Sequence, residues 1–95
     1  MIARIWRGVV RREDGDAYAA HVLDAGFPAY AATPGNRGAW MLRRDEGDCT
    51  EFVTFTLWDS VDNLRGFTGN DDRYLIEHDP AIAYYEVAGR AGHRL

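Results

Sequence analysis

Strict alternation of side-chain character over residues 50–58 is the clearest structural signal in this chain. A period of two predicts a β-strand with two different faces. The odd-numbered positions form a face that reads as ordinary core: Glu51, Val53, Phe55 and Leu57. The even-numbered positions form a face that is aromatic at both ends with hydroxyl groups between: Phe52, Thr54, Thr56 and Trp58. The pattern predicts that this even face lines a ligand pocket or the inner wall of a barrel made with a second sheet.

A helix start follows this strand directly. Asp59 and Ser60 end the alternation, and the Ser60 hydroxyl is well suited to cap the first turn of a helix. Val61, Leu64 and Phe67 then recur at helical spacing. The sequence therefore predicts a helix that begins immediately after Ser60.

Similar patterns predict elements in the rest of the chain. Apolar and β-branched residues predict strands over residues 2–12, 38–44 and 81–88. Helical spacing predicts a first helix over residues 17–25, ended by Gly26, and a further helical piece over residues 71–78. We expect turns at 13–16 and 45–48, an irregular stretch at 27–36, and a loosely ordered tail at 89–95.

The order of these elements is β-α-β-β-α-β, within one domain that spans residues 1–95. This order predicts an α+β fold of the ferredoxin-like type, a four-stranded antiparallel sheet with both helices on one face. The helices leave the other face bare, and a bare apolar sheet face is a large patch for a monomer. We therefore predict a homodimer that forms through the open sheet face.

Composition and charge narrow the classes of function. The chain has 95 residues, of which 13% are aromatic, more than a two-layer core of this size needs. This surplus indicates a pocket, a subunit interface, or both. The net charge of −4 comes with no basic stripe, which argues against a nucleic-acid partner. No apolar run is long enough to cross a membrane, and the N-terminus lacks a signal-peptide pattern.

Cysteine and histidine usage gives two further expectations. The single cysteine, Cys49, excludes a disulfide within the chain and fits a reducing cytoplasm. His21, His78 and His93 lie too far apart in sequence to suggest a local metal motif. We therefore expect a cytoplasmic protein with no metal site.

Four segments resemble the antibiotic biosynthesis monooxygenase-like domains. They are ARIWRG near the start, ATPGNRGAWMLRR in the middle, FVTFTLWDS with LRGFTG after it, and the closing YYEV. The resemblance covers nearly the whole chain and implies a dimeric α+β barrel, in which two ferredoxin-like sheets pack together. The group includes oxygenases, haem-degrading enzymes and isomerase-like members, so the likeness is more specific for fold than for chemistry.

The resemblance also implies a chemistry and a set of site residues. Characterised monooxygenases of the family oxidise quinol-like compounds with oxygen and need neither flavin nor metal, which implies no cofactor. Asn63 matches the family's asparagine and Tyr74 lies about one residue from its tyrosine. Phe67 replaces the family's tryptophan, and no arginine matches securely, so Arg73 and Arg90 are only candidates. Asn63 and Tyr74 are expected to hold the substrate oxygen, with His78 or Arg73 as its proton or charge partner. The expected apolar contacts are Phe52, Trp58, Phe67 and Tyr85.

Two departures from the family pattern keep other functions open. The segment before the last strand is contracted to TGNDDRYL, and AYYEV replaces the HYEV of relatives, which removes a proton-handling histidine. The leading hypothesis is a cofactor-independent monooxygenase acting on a small aromatic or quinol compound. The alternative is a non-catalytic dimer that binds a ligand or serves a structural role. Haem binding or degradation is a third, because His78 lies near the haem-ligating position of some relatives.

Several site candidates also have plain structural interpretations. Trp58 could wall a pocket or simply plug the end of the barrel. Asn63 lies in the first turn of a helix, where a polar capping residue is expected anyway. His78 lies near a predicted helix C-terminus, which favours a cationic imidazole on the surface. Tyr84 and Tyr85 point to opposite faces of the last strand, so one of them is expected to face the barrel interior.

Overall fold

The fold is a single antiparallel sheet covered on one face by helices. The computed structural model describes residues 1–65, 75–78 and 82–92, with side chains for residues 1–64 and 82–92. The strands are β1 (Ile2–Arg11), β2 (Asn36–Glu46), β3 (Cys49–Trp58), β4 (Leu75–His78) and β5 (Ala83–Glu86). Their order is β2-β3-β1, with both β4 and β5 paired to the other edge of β1. The predicted α+β, ferredoxin-like architecture is confirmed.

The two short strands occupy successive stretches of one sheet edge. β4 lies opposite the Gly8–Val10 part of β1, and β5 lies opposite its first half, with Ile2 facing Glu86. Together they take the place of the fourth strand of the ferredoxin-like sheet. The prediction of helix is wrong for residues 75–78, because pairing with the β1 edge overrides the local helical pattern. Residues 71–74 of that predicted piece lie outside the described residues.

The first helical segment is longer than the sequence predicts. After a 3₁₀ turn (Arg12–Asp14), α1 (Gly15–His21) continues through a π-helical turn (Val22–Gly26) into α2 (Phe27–Ala32). The prediction that Gly26 ends the helix is wrong, because its backbone is right-handed helical (φ −78°, ψ −46°). Pro28 falls in the first turn of α2, where a missing N–H is tolerated. The helix ends at Thr33, whose extended backbone suits a residue that precedes a proline.

The β2–β3 hairpin and the third helix agree with the sequence predictions more closely than the first helical segment does. β2 and β3 are joined by two residues, and Gly47 takes the positive φ of 59° that a tight hairpin connection favours. α3 (Val61–Arg65) begins after Ser60. The Asn63 backbone N–H donates to the Ser60 hydroxyl oxygen at 3.2 Å, so the predicted N-cap is confirmed.

The helices cover the face of the sheet that carries the even-numbered residues of β1 and β3. One buried cluster under α1 contains Trp6, Val10, Tyr18, Val22 and Phe52. A second buried cluster, under α2 and α3, contains Tyr30, Trp58 and Leu64. The even face of β3 is therefore the wall between the sheet and its own helices, and the prediction that it faces a second sheet is wrong.

Among the described residues no helix packs over the odd face of β3, and we call this side of the sheet the uncovered face. Val53, Phe55 and Leu57 are only partly buried there, and the neighbouring Leu42 of β2 is 56% exposed. The prediction that this face is the protomer's core is wrong. Alternation separates the two faces but does not by itself determine which one the helices cover. Within the described residues, no helix is long and apolar enough to cross a membrane.

Candidate functional site

Polar side chains are embedded in the aromatic layer at the end of the sheet where β3 finishes. We call this group the Trp58 cluster, which consists of Arg4, Tyr30, Thr56, Trp58 and Leu64. β1 and β3 supply the floor, since Arg4 lies directly opposite Thr56. α2 and α3 supply the cover, since Tyr30 and Leu64 pack on Trp58. Every member is at least nine-tenths buried.

Hydrogen bonds join the polar atoms of the Trp58 cluster. The indole Nε1–H of Trp58 donates to the Thr56 hydroxyl oxygen at 2.9 Å. The Thr56 hydroxyl lies 3.5 Å from the main-chain carbonyl oxygen of Arg4. The Arg4 guanidinium Nη1 donates to the Tyr30 hydroxyl oxygen at 3.5 Å. A chain of polar contacts therefore runs from β3 across β1 to α2 inside an apolar layer.

The electrostatics of this cluster combine a fixed positive charge with a neutral phenol. An arginine guanidinium keeps its proton in proteins, so Arg4 is cationic at any physiological pH. Burial raises the pKa of the Tyr30 hydroxyl, and the nearby Arg4 charge only partly opposes that shift. At neutral pH Tyr30 is a protonated hydrogen-bonding group. The cluster therefore places a cation and a neutral hydroxyl group beside aromatic side chains in the core.

Asn63 lies at the outer rim of this region, in a capping arrangement. Its side-chain Oδ1 accepts a 2.7 Å hydrogen bond from the Ser60 hydroxyl. It also lines an open surface depression of about 570 Å³ between the end of α2 and the start of α3. Gly35 fits against it, because a Cβ there would come within 2.2 Å of the Asn63 Cγ. The structural interpretation of Asn63 as a capping residue is thus seen directly.

The predicted apolar contacts lie in three different places. Trp58 belongs to the cluster described above. Phe52 is fully buried in the other core cluster, where its ring centre is 4.9 Å from that of Tyr18. Tyr85 is 57% exposed and lies opposite Ala3 on the uncovered face of the sheet. The structure does not bring these three side chains together.

Of the remaining predicted site residues, only Arg90 has a side chain among the described ones. Phe67, Arg73 and Tyr74 lie outside the described residues. His78 ends β4, where its backbone lies opposite Gly8. Its side chain is likewise outside the description. Arg90 is exposed beyond β5.

The sequence prediction missed two residues of the Trp58 cluster, Arg4 and Tyr30. Arg4 shares its strand face with Ile2 and Trp6, and an arginine among such residues was the available signal. Tyr30 fell in a stretch predicted to be irregular. A helix continued through Pro28 would have placed Phe27 and Tyr30 on one face, and their rings do meet edge to face at 5.8 Å.

Metal-binding residues do not converge in the part of the chain that the structure describes. No group of three or more His, Cys, Asp or Glu side chains in that part is arranged to hold a metal ion. Cys49 is a partly buried free thiol at the start of β3. The distinctive chemistry of the described residues is therefore the buried cation, phenol and indole of the Trp58 cluster.

Solved structures share this fold over nearly the full length of the chain. A Bacillus cereus protein named as an antibiotic biosynthesis monooxygenase superposes with a TM-score of 0.72 at 13% identity, covering 100% of this chain and 98% of the other. The Mycobacterium tuberculosis heme-degrader MhuD, with two hemes bound in its active site, gives 0.70 at 17% identity, covering 97% and 100%. Rv0793, from the same organism, gives 0.69 at 22% identity, covering 96% and 98%.

These likenesses establish the fold and leave the chemistry open. No protein-family model matches the sequence, and no curated protein sequence matches it either. The chain has the antibiotic biosynthesis monooxygenase-like fold, which neighbours with different named activities share. The fold alone therefore does not specify an activity.

Proposed function

We propose that this protein is a cofactor-independent monooxygenase-like enzyme that oxidises a small aromatic compound of the quinol class. The observation that carries the proposal is the Trp58 cluster, a buried cation and hydroxyl groups set within an aromatic layer between sheet and helices. Pockets for small aromatic ligands combine apolar walls with a few polar groups in this way. The named monooxygenase among the structural neighbours supports the same reaction class.

The proposed reaction needs the protein only to bind the substrate and to stabilise its ionised form. A quinol can itself supply the two electrons that reduce one atom of oxygen to water, while the other atom enters the ring. Naphthalene-1,4-diol and oxygen would give a hydroxynaphthoquinone and one water molecule, with all atoms balanced. The protein's part is to favour the deprotonated phenol and to exclude water while oxygen reacts.

We propose the following roles for the site residues that the sequence predicts. Trp58 forms the apolar wall, with Phe67 and the deeper Phe52 as further wall residues. Asn63 and Tyr74 hold the substrate oxygen. His78 or Arg73 serves as the proton or charge partner. Tyr85 lies on the open face, where it would meet the second subunit of the proposed cytoplasmic homodimer.

An oxygen electrode tests the proposal directly. Purified protein is mixed with a series of hydroquinones, and the rate of oxygen loss is compared with that of each compound alone. We expect the wild-type protein to accelerate oxygen uptake with at least one bicyclic quinol. Trp58→Phe should reduce this rate, while Trp40→Phe, on the uncovered face, should not. A protein that accelerates oxygen uptake with none of these compounds contradicts the proposal.

A non-catalytic binding or structural module of the same fold is the second candidate. The complete burial of Phe52 and Trp58 favours it, since both side chains are 0% exposed and fill the core. Such a protein would bind a hydroquinone without accelerating its oxidation, or bind none. Haem binding is the third candidate, suggested by the heme-degrading neighbour. A haem titration that gives no Soret shift would exclude it.

A further inference from the structure

The Trp58 cluster is closed to solvent in this structure. Trp58 and Thr56 are 0% exposed, and Tyr30 is 1% exposed. A molecule that enters the layer between sheet and helices must therefore displace an element that covers this cluster. The covering elements are α2, through Tyr30, and α3, through Leu64. How firmly the helical segments are attached to the sheet indicates which element moves.

The segment α2 is attached to the sheet by few side chains. Among its six residues, Tyr30 alone is buried. Its sequence, FPAYAA, contains no charged residue that could form an ion pair. By contrast, α1 and the π-helical turn after it place Tyr18 and Val22 in the core, and Asp16 of α1 pairs with Arg43 of β2 at 2.7 Å. The helical layer is therefore fixed less firmly at α2 than at α1.

Regular helical hydrogen bonding is interrupted at both ends of α2. At its start, the Phe27 N–H bonds to the Val22 carbonyl oxygen, which is the spacing of a π-helical turn. Pro28 follows and has no N–H, so it makes no bond back to the preceding turn. Beyond its end, Gly35 has a positive φ of 85°. Gly26 and Gly35 thus flank α2 as joints where the backbone turns at little steric cost.

A surface depression lies at the seam between α2 and α3. Its volume is about 570 Å³, and its lining includes residues of both helices, Ala29 and Ala32 of α2 and Asp62 and Asn63 of α3. Tyr30 lies between those alanines in sequence and packs on Trp58 beneath, with the two ring centres 6.4 Å apart. A movement of α2 away from the sheet would therefore join the depression to the Trp58 cluster.

We propose that α2 is a lid over the Trp58 cluster, hinged at Gly26 and Gly35, which opens by local unfolding and admits a small aromatic molecule from the depression. The role in substrate entry rests on the proposed function, whereas the opening itself does not. Opening takes Tyr30 out of the core and breaks its 3.5 Å contact with Arg4, while the cluster under α1 stays packed. A segment that loses few buried contacts opens at a lower free energy than the whole domain unfolds.

Hydrogen–deuterium exchange of the unmodified protein tests the opening without any ligand. After correction for intrinsic rates, amides in Ala31–Thr33 should exchange at least roughly tenfold faster than those in Ala19–His21. Low concentrations of urea should change the α2 rate little, because local opening exposes little surface.

A stiffened joint tests whether the exchange comes from a hinged lid. Gly26→Ala should slow exchange in α2 about two- to fivefold, since alanine favours the helical state over glycine. The closed state accommodates this change, because a Cβ there meets the Val22 Cγ1 at 3.4 Å, an ordinary contact. Gly89→Ala, where a Cβ meets no atom within 4 Å, should leave the α2 rate unchanged. Equal exchange in the two helices, or a Gly26→Ala protein no slower than Gly89→Ala, overturns the lid.

A buried thiol tests whether the opening reaches the Trp58 cluster. In a Cys49→Ser background, Thr56→Cys places a thiol in the cluster and Val10→Cys places one under α1, and both original side chains are 0% exposed. The probe is 4,4′-dithiodipyridine, a neutral aromatic disulfide that each thiol attacks with release of a coloured thiopyridone.

The labelling rate of each variant is divided by its own rate of global unfolding. This ratio should be at least roughly tenfold larger for Thr56→Cys than for Val10→Cys, and adding Gly26→Ala should lower it for Thr56→Cys alone. Equal ratios in the two variants overturn the lid. If Thr56→Cys does not fold, the exchange measurement on the unmodified protein decides.

These measurements also separate the lid from the proposed function. Local exchange in α2 and fast labelling of the cluster, without oxygen uptake with any hydroquinone, support the lid and contradict the oxygenase proposal. Oxygen uptake by a protein whose α2 exchanges only with global unfolding contradicts the lid and leaves the oxygenase proposal standing.

Discussion

Replacing Thr56 with valine tests whether the Trp58 cluster is held together by its internal hydrogen bonds. The Thr56 hydroxyl accepts the indole N–H of Trp58 at 2.9 Å, and both side chains are 0% exposed. Valine has nearly the same shape but cannot accept this bond. The buried indole N–H would therefore lose its bond to the residue 56 side chain. The substitution removes this hydrogen bond and the longer 3.5 Å contact from the Thr56 hydroxyl to the Arg4 carbonyl oxygen, with little change in packing.

The expected magnitude follows from that geometry. An unsatisfied buried donor costs about 1–3 kcal/mol, and the extra methyl group of valine recovers up to about 0.8 kcal/mol. We expect Thr56→Val to lower the free energy of unfolding by about 1–2 kcal/mol. For a domain of this size each kcal/mol lowers Tm by about 4–8 °C. Urea unfolding at a fixed protein concentration provides the measurement.

A double-mutant cycle with Trp58→Phe separates this bond from general effects of the substitution. Phenylalanine has no N–H, so Thr56→Val should cost less in that background, where it removes only the longer contact to the Arg4 carbonyl oxygen. The two substitutions should show a coupling energy of about 1 kcal/mol or more, as contacting residues do. Strict additivity, or a Thr56→Val protein as stable as the wild type, would refute the assigned role of this hydrogen bond.

Three further predictions concern the turn at Gly35, the loss of stability at acid pH through Asp59, and the sheet face that carries Leu42. Gly35→Ala should lower the free energy of unfolding by about 1–2 kcal/mol or more, since its φ is +85° and a Cβ would clash, whereas Gly89→Ala should have little effect in thermal unfolding. Hydrogen bonding to arginine holds the pKa of Asp59 below its ordinary 3.8. The resulting stabilisation is complete above that pH and is lost as pH falls through the lowered pKa, so Asp59→Asn should destabilise near neutral pH and much less near pH 2. Leu42→Asp should weaken the proposed homodimer in light-scattering measurements, whereas Leu23→Asp, an exposed position on the π-helical turn, should not.

Each of these predictions has an outcome that contradicts it. A Gly35→Ala protein as stable as Gly89→Ala would show that the turn tolerates a side chain. A constant difference between Asp59→Asn and the wild type from acid to neutral pH would exclude the assigned carboxylate. A dimer that survives Leu42→Asp but not Leu23→Asp would place the interface on the helical side.

The fold could be predicted from the sequence because the elements repeat simple periods. The alternation over β3 and the serine cap of α3 are local signals, and both are seen in the structure. The wrong predictions lie where contacts between residues far apart in sequence determine the secondary structure. Residues 75–78 form a strand because an unpaired edge of β1 lies beside them, and no local pattern shows this. The helix continues beyond Gly26 because a π-helical turn precedes α2. Pro28 then falls in the first turn of α2, where it is tolerated.

The candidate site could be predicted only in part. Trp58 was identified by its place at the end of an alternating strand, and it lies at the centre of the polar cluster. Arg4 and Tyr30 come from a strand and a helix that are 26 residues apart in sequence, so only the folded chain shows that they meet. Which face of a strand the helices cover depends on the total volume packed between layers, a property of the whole sheet.

Isotopic labelling of the product tests the central claim most directly. Naphthalene-1,4-diol is incubated with the protein under isotopically heavy oxygen gas, and the products are analysed by mass spectrometry beside a protein-free sample. The proposed monooxygenase reaction predicts a hydroxynaphthoquinone that contains a single heavy oxygen atom and forms only when the protein is present. A product mixture identical to that of the protein-free sample would contradict it.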